Sequence, residues 1–150
     1  MILVSACLIG TKCRYDGGGF SQYPELADLV AKGGAIPVCP EELGGLPTPR
    51  PPAELVGGDG AAVLRGEARI VRQDGTDVTE AFLAGAEAAA RLAERHGVAR
   101  AILKARSPSC GCNSVYDGTF TGRVVPGQGV TAARLAAMGI AVTDESGQAT

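Results

Sequence analysis

Histidine occurs once in the 150 residues, at position 96, and positive charge is not in surplus: 14 Lys and Arg stand against 16 Asp and Glu, a net charge of -2. Without a basic excess the chain is a poor match for a protein built to grip nucleic-acid backbone. The lone His96 falls at the end of an expected helix, where a dipole or solvent role leaves acid–base chemistry to other groups. No run approaches the roughly 20 apolar residues that span a bilayer. The apolar start MILVSACLIG has no basic lead, so it reads as a first strand and not a signal peptide, and a cytoplasmic protein with reduced thiols is expected. Paired cysteines are missing too. Five cysteines, an odd number at irregular spacing, fit a disulfide framework poorly. There is no C-x2-4-C pair of the kind structural zinc uses, and no compact run of four as in electron-transfer clusters. Neither Gly44-Gly45 nor Tyr15-Asp-Gly-Gly-Gly matches a phosphate-loop or dinucleotide fingerprint.

What the chain does have is an alternation of strand and helix signals. Residues 2–6 form a short apolar run. Pro24 suits the first position of a helix that ends near Lys32, closed by Gly33-Gly34, and residues 35–38 form a second apolar run ending at Cys39. Residues 40–54 hold five prolines and two glycines, so no regular element is expected there. Residues 61–72 alternate as an extended segment, with Asp74-Gly75 as the turn after it. Asp77 and Glu80 have capping-box spacing, and Phe82, Ala86, Ala89 and Ala93 recur at helical intervals up to Gly97, with Glu87 and Arg91 paired outside. A strand at 99–103, a loop at 107–118, a helix at 130–138 and a strand at 140–143 complete the order. One α/β domain over residues 1–150 is expected, with a mostly parallel, Rossmann-like sheet and helices on both faces.

On such a sheet three cysteines fall at strand ends. Cys7 follows the first strand, Cys39 the second, and Cys110 lies in the loop after residues 99–103. The carboxyl ends of parallel strands share one edge, and ligands bind in the crevice outside it, so these thiols should converge. Proline stiffens the segment after Cys39, and Ser107-Pro-Ser-Cys-Gly sets two hydroxyls around a thiol, as a metal or cluster site needs. An iron left open by its protein ligands would act as a Lewis acid. Spacing alone leaves the identity of the metal open. For Cys7 taken singly, a small buried apolar residue is an equal reading, and for Cys13 and Cys112 it is the leading one. Glu54 is read as an N-terminal helix charge or a partner of Arg50.

The segments SACLIGTKCRYDGG, VCPEELGGLPTPRPPAE, LKARSPSCG and VYDGTFTGRVVPGQGVTAARL together resemble the thiouracil desulfidase (TudS) family over nearly the whole chain. The resemblance implies a [4Fe-4S] cluster held by the three cysteines Cys7, Cys39 and Cys110, with one open iron. It also implies non-redox removal of sulfur from a thiolated pyrimidine, of the 2-thiouracil or 4-thiouracil type, giving the oxo base and hydrogen sulfide. Longer relatives carry an added domain and act on thiouridine. A small thiolated base or nucleoside is therefore the expected partner here, favoured over nucleic acid, with no membrane and the oligomeric state open.

Within that chemistry Glu41, two residues after Cys39, is the carboxylate placed to move protons, with Glu42 as its rival and a cap of the turn after Pro40 as its plainer role. Ser107 would position water or the base, or else satisfy loop backbone. Ser109, Arg14, Tyr15 and Lys104, with Asp16, would contact or orient the substrate. Two other classes compete: an iron–sulfur or thiol redox sensor without turnover, and a zinc-stabilised structural domain.

Overall fold

The computed structural model describes residues 1–20 and 23–149. Its centre is a four-stranded sheet of β1 (Ile2–Ser5), β2 (Ala35–Val38), β5 (Arg100–Leu103) and β8 (Ala141–Asp144), in the order β2-β1-β5-β8, every neighbouring pair parallel. Strand residues alternate between faces. Leu3, Val38, Ala101, Leu103 and Val142 pack with Ala89, Ala93 and Leu135 of two helices, α4 (Thr79–Arg95) and α5 (Val130–Ala137). Val4 and Ile102 turn to the opposite face, against Leu8, α1 (Pro24–Ala31) and its Leu26. Helices therefore cover both faces of a parallel α/β sheet, as expected. Among the described residues no helix is long and apolar enough to cross a membrane.

Several expected elements shift. The first strand ends at Ser5, because Ala6–Ile9 winds into a single 3-10 turn that Gly10 closes at φ 93°. The capping-box register moves by one: helix α4 starts at Thr79, whose N–H donates to the Asp77 carboxylate at 2.9 Å. The proline-rich segment is not wholly irregular. It holds α2 (Pro40–Leu43), a single turn with proline at its first position, and it runs into strand β3 (Ala53–Val56). Residues 61–72 are not one extended segment either. Asp59 accepts from Ala62 N–H and starts α3 (Gly60–Leu64), and only β4 (Arg69–Arg72) is strand, antiparallel to β3. The expected loop 107–118 contains β6 (Ser114–Tyr116), which pairs with β7 (Val124–Pro126) as a small hairpin.

Two glycines set how closely α2 lies on α4. A Cβ at Gly85 would sit on the Pro40 carbonyl oxygen, and one at Gly44 on the Ala81 carbonyl oxygen. Gly85→Ala should therefore lower stability despite the helix propensity it gains. Overpacking of this kind costs about 1–3 kcal/mol or more against ~1 kcal/mol recovered. Thermal unfolding should shift down by roughly 2–4 °C for each kcal/mol lost; an unchanged or raised midpoint would show that α2 yields freely.

Candidate functional site

Parallel pairing brings Ser5, Val38 and the residue after Leu103, Lys104, to one edge of the sheet, and a cavity of about 540 Å³ opens there. Cys7 comes to it from the 3-10 turn after β1, Cys39 from the end of β2, and Cys110 from the loop after β5. Cys13 lines the same cavity, so four thiols face it from three strand ends. The thiols of Cys13 and Cys39 lie in contact, Cys7 touches Cys13, and the Cys39 thiol donates to the Cys13 carbonyl at 3.6 Å. The Cys13 contact and burial together push the Cys39 thiol up. For Cys13 itself, Cys39 pulls down, but Cys7 and burial outweigh it and the thiol rises to about 12. Burial, then the charges of Glu41 and Cys39, push Cys110 up to about 12, against the hydroxyls of Ser5 and Ser109 beside it.

The donor set is sulfur, with hydroxyls close to one thiol, and this chemistry suits iron–sulfur ligation. Among the described residues no three Cys, His, Asp or Glu side chains gather at the spacing of a single metal ion. What the thiols offer is a sulfur-lined cavity wall and not a mononuclear cage. Cys112 is apart from it. Its thiol donates to the Gln148 carbonyl at 3.4 Å, and burial pushes it up to about 11.

Glu41 lines the cavity from the first turn of α2, and Arg50 fixes it. The guanidinium is buried. Its Nε donates to Glu41 Oε1 at 2.8 Å, its Nη2 to the Cys13 carbonyl at 2.7 Å, and its Nη1 to Pro47 O at 3.1 Å and Thr48 Oγ1 at 2.7 Å. One side chain thus ties the Cys13 loop, the turn after Cys39 and the proline-rich loop together. Burial raises the Glu41 carboxyl above its ordinary range, opposed by the Arg50 charge. Among the described residues no hydrogen bond reaches Glu41 Oε2. Its rival Glu42 is occupied at the surface by the Thr48 hydroxyl.

Ser107 lines the cavity, and its Oγ accepts from Ser109 N–H at 3.1 Å and Cys110 N–H at 3.0 Å. It satisfies loop backbone as its plainer role required, and with both lone pairs occupied the hydroxyl can only donate. Ser109 does not line the cavity: it is 1% exposed and shares a 2.8 Å hydrogen bond with Thr131. Arg14, Tyr15 and Lys104 do line it. Arg14 and Lys104 lie over the Phe20 ring at 4.5 and 5.4 Å, and Lys104 is paired with Glu145 at 2.8 Å. Asp16 is outside the lining, its carboxylate accepting from Gly18 N–H.

Sequence reasoning missed two residues of this site. Arg50 pairs with Glu41 and not with Glu54, and Glu54 sits in strand β3 facing the cavity, neither a helix charge nor an ion-pair partner of Arg50. A charged residue inside Pro-Thr-Pro-Arg-Pro-Pro was the available signal for the first. Nothing local marked the second.

A family model described as 2-thiouracil desulfurase matches residues 2–147. A Bacillus subtilis (strain 168) protein, YbbK, described only as uncharacterized, is 46% identical over 146 residues, covering 97% of this chain and 96% of its own. A solved structure described as a [4Fe-4S]-dependent thiouracil desulfidase, TudS, superposes with a TM-score of 0.83 at 44% identity, over 97% of this chain and 90% of that one.

Proposed function

The chain belongs to the 2-thiouracil desulfurase family, and on that footing we propose that it hydrolyses the thiocarbonyl of a small thiolated pyrimidine, base or nucleoside, of the 2-thiouracil or 4-thiouracil type. Thiocarbonyl and water give the oxo base and hydrogen sulfide, with no net redox change. The observation that carries this reading is the convergence of Cys7, Cys39 and Cys110, from three strand ends, on a cavity that Glu41 also lines.

Those three cysteines would hold a [4Fe-4S] cluster, which supplies a soft Lewis acid matched to a thiocarbonyl sulfur. The chain's own residues do the rest. Glu41 Oε2, left free by the Arg50 contact at Oε1, takes a proton from the attacking water as the C–O bond forms. It returns that proton toward sulfur as the C–S bond breaks, and the proton of the new hydroxyl follows as the oxo group forms, completing hydrogen sulfide. Ser107, able only to donate, holds the water or a ring oxygen. Arg14, Tyr15 and Lys104 line the approach and orient the ring.

Anaerobic reconstitution with iron and sulfide should give about four irons per chain and a visible charge-transfer band. The reconstituted protein should then convert 2-thiouracil or 4-thiouracil to uracil with sulfide released in equal amount. Absence of sulfide release from both bases and from their nucleosides would overturn the reading.

A further inference from the structure

Glu54 has an unspent oxygen. The residue is 9% exposed, in the middle of β3, and its Oε1 accepts two backbone donors of one loop, Gly118 N–H at 2.9 Å and Phe120 N–H at 3.2 Å. These bonds hold a demanding turn. Phe120 has φ 59°, in the left-handed region an aromatic residue rarely adopts, and a Cβ at Gly118 would come within 2.5 Å of Leu55 O. Among the described residues Oε2 makes no hydrogen bond, yet the one sealed side-chain polar atom without a partner is Arg72 Nε. Glu54 Oε2 is therefore not sealed in, and Glu54 is a lining residue of the same cavity as the cysteines. No ion pair to Glu54 occurs among the described residues.

A carboxylate oxygen accepts and cannot donate. Held in place by the loop bonds at its partner atom and shielded from bulk water, it selects a ligand bearing an N–H. Resting on the desulfuration reading above, we propose that Glu54 Oε2 accepts the ring N3–H of the thiolated pyrimidine and thereby sets substrate specificity. N3–H is adjacent to the thiocarbonyl in both 2-thio and 4-thio rings, and it survives attachment of a sugar at N1. The site then takes unsubstituted bases and their N1-nucleosides and rejects rings alkylated at N3.

The plainer role for Glu54 is to pin the 117–122 loop and nothing more. Glu54→Gln separates the two. Glutamine keeps a carbonyl oxygen for the Gly118 and Phe120 donors, but turns the open position from an acceptor into a donor.

The test uses reconstituted protein and measures binding of uracil, 1-methyluracil and 3-methyluracil by ligand-observed NMR or calorimetry, with KM and kcat for the matching 2-thiouracils. The parent protein should bind uracil and 1-methyluracil roughly 10- to 100-fold more tightly than 3-methyluracil, the range lost with a hydrogen bond to a charged group. Glu54→Gln should weaken uracil by a similar factor, erase the discrimination, raise KM more than kcat falls, and leave iron per chain unchanged. Equal binding of uracil and 3-methyluracil by the parent protein overturns the proposal without any variant. So does a Glu54→Gln protein that discriminates as the parent does, or a parent protein that binds none of the three rings. Glu54-dependent discrimination between uracils without sulfide release from any thiouracil would instead sink the desulfuration reading and leave the role of Glu54 standing.

Discussion

Cys7→Ala, Cys39→Ala and Cys110→Ala are each expected to yield folded protein that retains no stable iron and releases no sulfide, whereas Cys13→Ala retains both. The three proposed ligands come from separate strand ends, so losing any one leaves two thiolates that cannot hold the cluster. Folding should survive each change. A buried cysteine packs as a small apolar residue, and truncating it to alanine costs on the order of 1 kcal/mol. Cys13 is the demanding control, because its thiol touches both Cys7 and Cys39 and lines the same cavity. Its carbonyl already serves Arg50 Nη2 and the Cys39 thiol, contacts that alanine preserves. Iron per chain, visible absorbance and far-ultraviolet circular dichroism on the four variants decide the matter. Iron retained by Cys7→Ala and lost from Cys13→Ala would exchange the two in the ligand set.

The parts of the fold that were legible in the sequence are those whose signals are local and repeated. The four-stranded sheet shows as short apolar runs separated by helices, and α4 shows as a long 3.6-residue pattern with its Glu87–Arg91 pair, 3.8 Å apart, on the outer face. Short elements outside that strand–helix alternation do not reach that threshold. In α3 the stretch Gly-Ala-Ala-Val-Leu is too short for a helical period, and only the Asp59 cap distinguishes it from strand. β6 and β7 are three residues each and owe their pairing to the surrounding loop, where Asp117 N–H donates to the Arg123 carbonyl and Gly127 N–H to the Asn113 carbonyl. The site divides in the same way. Cys7, Cys39, Cys110 and Glu41 stand at or near strand ends that parallel order brings together. Arg50 and Glu54 acquire their roles from partners in remote loops, the Cys13 carbonyl in one case and the Gly118 and Phe120 amides in the other. Ser109 illustrates the converse. It stands beside Cys110 in sequence and its hydroxyl lies near that thiol, yet it is buried against Thr131 on α5 and lines no part of the cavity.

Glu41→Gln should take up iron as the parent protein does and lose kcat for thiouracil by roughly 10²- to 10⁴-fold, the span of a positioned acid–base group. The substitution is close to isosteric and keeps an oxygen for Arg50 Nε, so the ties from Arg50 to the Cys13 carbonyl, Pro47 and Thr48 persist and the cavity wall holds its shape. What it removes is a group able to take a proton from water at Oε2. The environment suits that task. Burial lifts the carboxyl above its ordinary range, while the Arg50 charge keeps it from rising unchecked, so it can gain and give back a proton within one cycle. Single-turnover sulfide release measured beside iron content separates this role from a structural one. A Glu41→Gln protein that loads iron and turns over at the parent rate would remove Glu41 from the chemistry and make Ser107, which can donate but not accept, the next residue to test. A Glu41→Gln protein that fails to load iron would instead show that the Arg50–Glu41 pair shapes the cysteine cavity, with its contribution to stability and not to proton transfer.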